Sequence, residues 1–231
     1  MGLDRVIVVT PFHGREHISK IFLENIKDLG LNLVAVCNTG DDNFDLCSEY
    51  TEHAIIAHQN ITGDKWNKGL LYAKGLEWDY LLVLGSDDLV SINYFEDFLF
   101  NQMDKGEKYS GLLDATAMDF NTKKSRYWEG YKNYRLGEPI GCGRLIHRSI
   151  VEYFNYELFP KVSRGTIDLH SHNLIKSIYK GGEFINSRLK PYRLGLKSGK
   201  DITGELKGCP FIHCLDLEKY YPKHIINMIL C

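Results

Sequence analysis

The stretch Leu82-Val-Leu-Gly-Ser-Asp-Asp88 places two adjacent carboxylates directly after an apolar run. Past a buried strand such a pair would repel and lose hydration unless a cation sat beside it. Hard oxygen ligands there suit Mg2+ or Mn2+, held jointly by the carboxylates and a diphosphate. The same residues suit a solvated turn that caps a following helix, because Asp is a good N-cap. A second concentration is aromatic: Tyr127, Trp128, Tyr131 and Tyr134 alternate with Arg126, Lys132 and Arg135. Sugars and bases stack on such faces, and a partly buried surface layer has the same composition. His170, His172, Cys209 and His213 could gather around zinc, but their spacing fits no common zinc motif.

These groups need elements to hold them. Residues 5–10 form a β-branched apolar run that reads as a strand buried on both faces. Residues 16–29 carry apolar positions at helical spacing, and Gly30 is placed to end that helix. Strands are expected at 33–37, 54–57 and 80–84, with a helix over 63–74. This alternation predicts an α/β domain with a largely parallel sheet, whose ligands belong at the carboxyl ends of the strands. Beyond residue 91 the pattern predicts a helix at 94–103, one strand over 111–118, a strand from 141 entering a helix at 149–154, and a helix over 167–179. Residues 220–230 read as a membrane-surface helix or a dimer contact.

Several segments, in order, resemble the nucleotide-binding half of GT-A glycosyltransferases, especially the family 2 type. They are the strand ending at Thr10-Pro11, the strand followed by Asn38-Thr-Gly-Asp41, the segment Lys65-Trp-Asn67-Lys-Gly69-Leu-Leu-Tyr-Ala73, and the strand ending at Ser86-Asp-Asp88. Lys65, Asn67, Gly69 and Ala73 match the family form Ala-Arg-Asn-x-Gly-x-x-x-Ala, with Trp66 intervening and no Arg. Residues 141–149 resemble the family's acceptor-side strand and helix. The segment from Gly165 through Asp168 to Lys176 resembles the one that supplies its general base. The matches span roughly residues 5 to 186.

The resemblance implies a GT-A fold, a mostly parallel central sheet flanked by helices, in one domain over residues 1–231. It implies that Thr10 and Pro11 line the base and ribose pocket, with Arg15 near the phosphates and Asp41 or Asp42 facing base or ribose. Asn38, Lys65, Asn67, Ser86 and Asp87 complete the donor-binding set. Asp88, matching the last carboxylate of the family's DXD motif, would bind Mn2+ or Mg2+, and His213 would complete the metal site. Ser86 stands where many members have the first Asp. Asp168 would take the proton of the acceptor hydroxyl in an inverting transfer, or else simply cap its helix. The donor would be a nucleotide-diphosphate sugar, with UDP the nucleotide on family grounds.

Composition sets the outer bounds. The chain has 231 residues, 44% apolar and 25% charged, and 28 basic against 30 acidic residues give a net charge of -2. Disordered and fibrous classes are excluded, and so is a polycation that coats nucleic acid. The charge is uneven: residues 1–119 hold 9 basic and 20 acidic residues, and residues 120–231 hold 19 and 10. If residues past about 120 form the acceptor side, as the resemblance implies, that side is basic and the donor and metal half acidic, and an anionic acceptor is expected: a hydroxylated base in DNA, a phosphorylated glycan or a lipid phosphate. An ordinary solvated face with counter-charges on the first half explains the same numbers. No signal peptide or apolar stretch of spanning length is visible, and six cysteines without a CxxC pair read as reduced thiols of a cytoplasmic protein. Two other classes stay open: a nucleotidyltransferase, against which the first strand lacks a Gly-rich Arg-Lys loop, and an inactive binding protein that keeps the fold. The sequence fixes no oligomeric state.

Overall fold

The structure, a computed structural model, describes residues 2–162, 166–198, 209–212 and 216–230. The chain begins with β1 (Val6–Pro11), α1 (Glu16–Leu29), β2 (Asn32–Asn38), α2 (Asn43–Ser48), β3 (Ala54–Ala57), α3 (Thr62–Ala73), β4 (Tyr80–Val83) and β5 (Asp88–Val90). A helix then runs as α4 (Ile92–Tyr94), a π-helical turn (Phe95–Leu99) and α5 (Phe100–Asp104). It leads to β6 (Tyr109–Leu112), β7 (Ala115–Asp119), β8 (Ser125–Trp128), β9 (Arg144–His147), α6 (Arg148–Tyr153) and α7 (Ile167–Ile178). The last elements are β10 (Glu183–Ile185), β11 (Arg193–Lys197), β12 (Phe211–Ile212) and α8 (Lys223–Leu230).

Seven strands form the larger sheet in the order β10-β6-β9-β4-β1-β2-β3, and five form a second sheet in the order β12-β8-β7-β11-β5. β1 pairs in parallel with both β2 and β4, and β9 enters antiparallel between β4 and β6. Side chains alternate along β1: Val6 and Val8 pack on the α1 side with Phe12, Ile18 and Phe22, while Ile7 and Val9 pack with Trp66 and Leu70 of α3. Both faces are buried, which is why the run carries no polar alternation. Helix α1 covers the predicted residues, and Gly30, at φ 65, returns its N–H to the carbonyls of Ile26 and Lys27.

Two features aim the candidate site. Asn25, buried on α1, donates its amide to the Val90 carbonyl and accepts the Val90 N–H, at 3.1 and 2.9 Å, which pins β5 to α1. β5 pairs antiparallel with β11 in the register Gly195 opposite Asp88, so a strand from the basic half lies against the two carboxylates.

The structure corrects one predicted strand. Residues 111–118 are two strands in different sheets, β6 and β7, broken at Asp114. The fully buried Asp114 carboxylate accepts the N–H groups of Ser187 and Arg188 at 2.7 and 3.1 Å and the Tyr127 hydroxyl at 2.7 Å. A ladder that passed straight through would leave that charge unpartnered. The apolar face of α8, Ile225, Ile226 and Ile229, is buried in the core that includes α1.

Candidate active site

β1, β2 and β4 run in parallel, and their carboxyl ends bring together Pro11, Asn38 and the Gly85-Ser-Asp-Asp88 turn. At that edge Asp88 is 1% exposed. One of its oxygens accepts the Gly85 N–H at 2.9 Å, and the other is hydrogen-bonded by Arg193, with the Lys197 ammonium 3.7 Å away. Asp87 accepts Lys197 at 2.7 Å and Arg15 at 2.9 Å. Burial alone would raise the Asp87 carboxyl, but Lys197, Arg15 and Arg193 outweigh it and hold the group at about 2. The same carboxylates keep Lys197 and Arg193 charged against the cost of burial.

The backbone explains how these groups meet. Arg193, Gly195 and Lys197 project from one face of β11, while Leu194 and Leu196 face the core. A Cβ at position 195 would lie 3.1 Å from both the Arg193 and the Lys197 side chains, so glycine there lets the two cations converge. Gly85 serves similarly, since a Cβ would stand 3.0 Å from both Asp87 and Asp88. Arg15 occupies the left-handed region at φ 53 directly before α1, a conformation that costs a non-glycine residue about 1–3 kcal/mol. Its bond to Asp87 depends on that geometry.

Toward β2 the same edge carries a second polar group. Asn38 accepts Lys65 at 3.1 Å, and its amide contacts His13 at 2.9 Å and Asn60 at 3.2 Å. Lys65, 2% exposed, also donates to the Phe12 carbonyl at 2.9 Å, and burial lowers its pKa. Asp41 accepts the Asn43 N–H and amide and, at 3.4 Å, the Gly14 N–H. The segment from His13 to Arg15 therefore joins the Asn38–Asp41–Lys65 group to the Asp87–Asp88 group. Four other expected donor residues stand differently. Thr10 is fully buried with its hydroxyl on the Leu84 carbonyl at 3.0 Å, which ties β1 to the end of β4. Asn67 spends both ends of its amide on the Phe159 backbone, at 2.8 and 3.0 Å. Ser86 is buried beside the carboxylates, and Pro11 is half-buried at the strand end.

Asp168 lies in the first turn of α7, and Thr166, not Asp168, holds the N-cap position. Its carboxylate accepts the Tyr131 hydroxyl at 3.1 Å and sits where a Cβ on Gly141 would overlap it. Arg144, 1% exposed, donates to the Asp168 and Ile140 carbonyls, Ser171 and Glu138, and so fixes α7 against the loop before β9. Cys142 follows Gly141, and burial pushes its thiol up, with the Asp88 and Asp168 carboxylates adding to the rise. Tyr131 stacks under the Arg135 guanidinium at 3.3 Å and meets Trp128 edge-on, while Tyr134 is 87% and Leu136 81% exposed.

The divalent ion expected at Asp88 does not fit the described residues. Asp88 is committed to Arg193 and Asp87 to Arg15 and Lys197, so an ion would have to displace a buried guanidinium. Among the described residues no three His, Cys, Asp or Glu side chains form a group that could hold a metal. His213 lies outside the described residues. Arg193 and Lys197 were not legible as site residues from composition, although Arg193-Leu-Gly-Leu-Lys197 has the alternation of a strand with one charged face.

The two sheets and their flanking helices make the GT-A fold, as the sequence led us to expect, and solved structures share it. Among solved structures the chain is similar to S. aureus TarS. One structure of residues 1–349 matches at TM-score 0.59 and 11% identity, over 83% of this chain and 60% of that one. A second, in complex with UDP-GlcNAc, matches at TM-score 0.60 and 12% identity over 84% of this chain and 58% of that one. The chain thus spans less than two thirds of the length of these structures. No protein-family model matches the sequence, and no curated protein matches it significantly. Among the described residues no helix is long and apolar enough to cross a membrane.

Proposed function

We propose that the chain is an inverting glycosyltransferase that moves a sugar from a nucleotide-diphosphate sugar, with UDP as the nucleotide, to an acceptor hydroxyl. The observation that carries this reading is the placement, on a GT-A fold, of a cation-lined group just past β4 and of the Asp168 carboxylate against Gly141, two residues before Gly143, whose N–H bonds the Val83 carbonyl at the end of that strand. The binding of UDP-GlcNAc by the structurally similar TarS supports the choice of nucleotide. Pro11, Asn38 and Asp41 face the base and ribose. Asp168 takes the proton of the acceptor hydroxyl as its oxygen attacks the anomeric carbon from the face opposite the diphosphate. The bond from that carbon to the diphosphate oxygen breaks, and the nucleoside diphosphate leaves with the electron pair.

The acceptor we favour is an anionic molecule, with a hydroxylated base in DNA foremost. Part of the basic excess is spent inside the fold, because Arg193 and Lys197 meet Asp87 and Asp88, and Arg135 and Arg144 meet Glu138. The exposed Tyr134 and the Trp128–Tyr131 pair beside Asp168 offer a stacking face suited to an unpaired base. The test is transfer to an oligonucleotide carrying a hydroxymethylated base, read as a mass increase of one sugar. Asp168→Asn should lower the rate roughly 100-fold or more while donor affinity is retained. Full transfer by that variant would remove Asp168 from the mechanism. DNA binding that does not weaken with added salt would remove the nucleic-acid acceptor.

A further inference from the structure

We infer that Arg15, Arg193 and Lys197 form a built-in diphosphate clamp that does the work a divalent ion would do, so that the donor binds and the nucleoside diphosphate leaves without metal. This rests on the donor reading above and concerns the same site. Three observations carry it. First, each carboxylate already carries a cation: Arg193 holds one Asp88 oxygen, whose other oxygen accepts the Gly85 N–H, and Lys197 and Arg15 share one Asp87 oxygen. Second, Arg193 and Lys197 stand side by side on one face of β11, across Gly195, where a diphosphate would take charge-assisted hydrogen bonds from both. Third, donor capacity remains. The buried Arg193 Nε has no hydrogen-bond partner, although Arg193 is only 8% exposed. An unpaired buried donor is rare in a finished structure.

The carboxylates then act as a platform. Asp87 and Asp88 keep the cations charged and aimed, as Gly195 lets them converge over the strand. When the bond to the anomeric carbon breaks, the electron pair stays on the terminal phosphate oxygen, and the fixed positive charge of Lys197 and Arg193 stabilises it there. Arg15 closes the site from the α1 side.

The test is calorimetric titration of UDP and UMP into the full chain, once in EDTA and once in Mn2+. The clamp predicts that UDP affinity differs by less than about twofold between the two buffers. It also predicts that Lys197→Gln weakens UDP by roughly tenfold or more and brings the UDP-to-UMP preference close to unity. Arg15→Gln, at the more exposed end of the cluster, should move that preference in the same direction, and the ratio is insensitive to a general loss of stability. UDP binding that appears only with Mn2+ would keep the donor reading and overturn the clamp. An unchanged preference in both variants would overturn it as well. No binding of any nucleoside diphosphate in either buffer would remove the donor reading and the clamp with it.

Discussion

Replacing Asp88 with Asn separates two accounts of the carboxylate pair by the sign of a stability change. If the pair existed to hold a metal, two adjacent carboxylates in the metal-free protein would repel, and removing one charge would leave stability equal or higher. The structure predicts the opposite. Asp88 is 1% exposed, bonded to Arg193 and to the Gly85 N–H, and faces Lys197 at 3.7 Å. An Asn keeps one hydrogen bond but leaves the buried Arg193 guanidinium facing no charge at that position. Breaking a buried pair from one side costs about 3–5 kcal/mol. For a domain of this size each kcal/mol is about 2–4 °C, so the melting temperature should fall roughly 6–20 °C. The assay is thermal unfolding in EDTA, with urea titration as a check on two-state behaviour. Replacing both partners, Asp88→Leu with Arg193→Met, should recover part of the loss, because an apolar pair carries no orphaned charge. An Asp88→Asn melting temperature equal to or above the parent's in EDTA would refute the reasoning.

Three further outcomes follow from the same geometry. The Asp87 carboxyl is depressed to about 2 in the folded state, so its contribution, on the order of 2 kcal/mol, is present above about pH 4 and lost as pH falls toward 2. Melting curves of the parent and Asp87→Asn should therefore converge over that range, and a constant gap would contradict the shift. Gly141→Ala forces a methyl group into the Asp168 carboxylate, so transfer should fall by roughly tenfold or more while UDP affinity stays the same. Asn67→Ala strands the Phe159 N–H and carbonyl, which should cost about 2–4 kcal/mol in urea titration without weakening UDP. A specific loss of UDP affinity would return Asn67 to the donor site.

What the sequence makes legible here is local. Helix α1 is readable to the residue because its apolar spacing and Gly30 decide it without outside help. The strands ending at Pro11, Asn38 and Val83 are readable because a run buried on both faces carries its own signature, and with them comes the edge where the site lies. The break at Asp114 is not readable, because Ser187, Arg188 and Tyr127 that satisfy it are remote in sequence. Asn67 looks like a donor ligand in its motif, and only the fold reveals that Phe159 uses both ends of its amide. The pairing of Asp87 and Asp88 with Arg193 and Lys197 spans more than a hundred residues, and no local pattern announces it. Adjacent carboxylates in a sequence ask for a cation, and here the chain supplies it.

The most direct test of the central claim is a calorimetric titration of the full chain with sugars carried on UDP, GDP, ADP, CDP and dTDP. The account predicts saturable binding of at least one donor, competed by its parent diphosphate and strongest for UDP. If none of the five classes binds, the polar group at the strand ends is not a nucleotide-sugar site, and the glycosyltransferase reading fails.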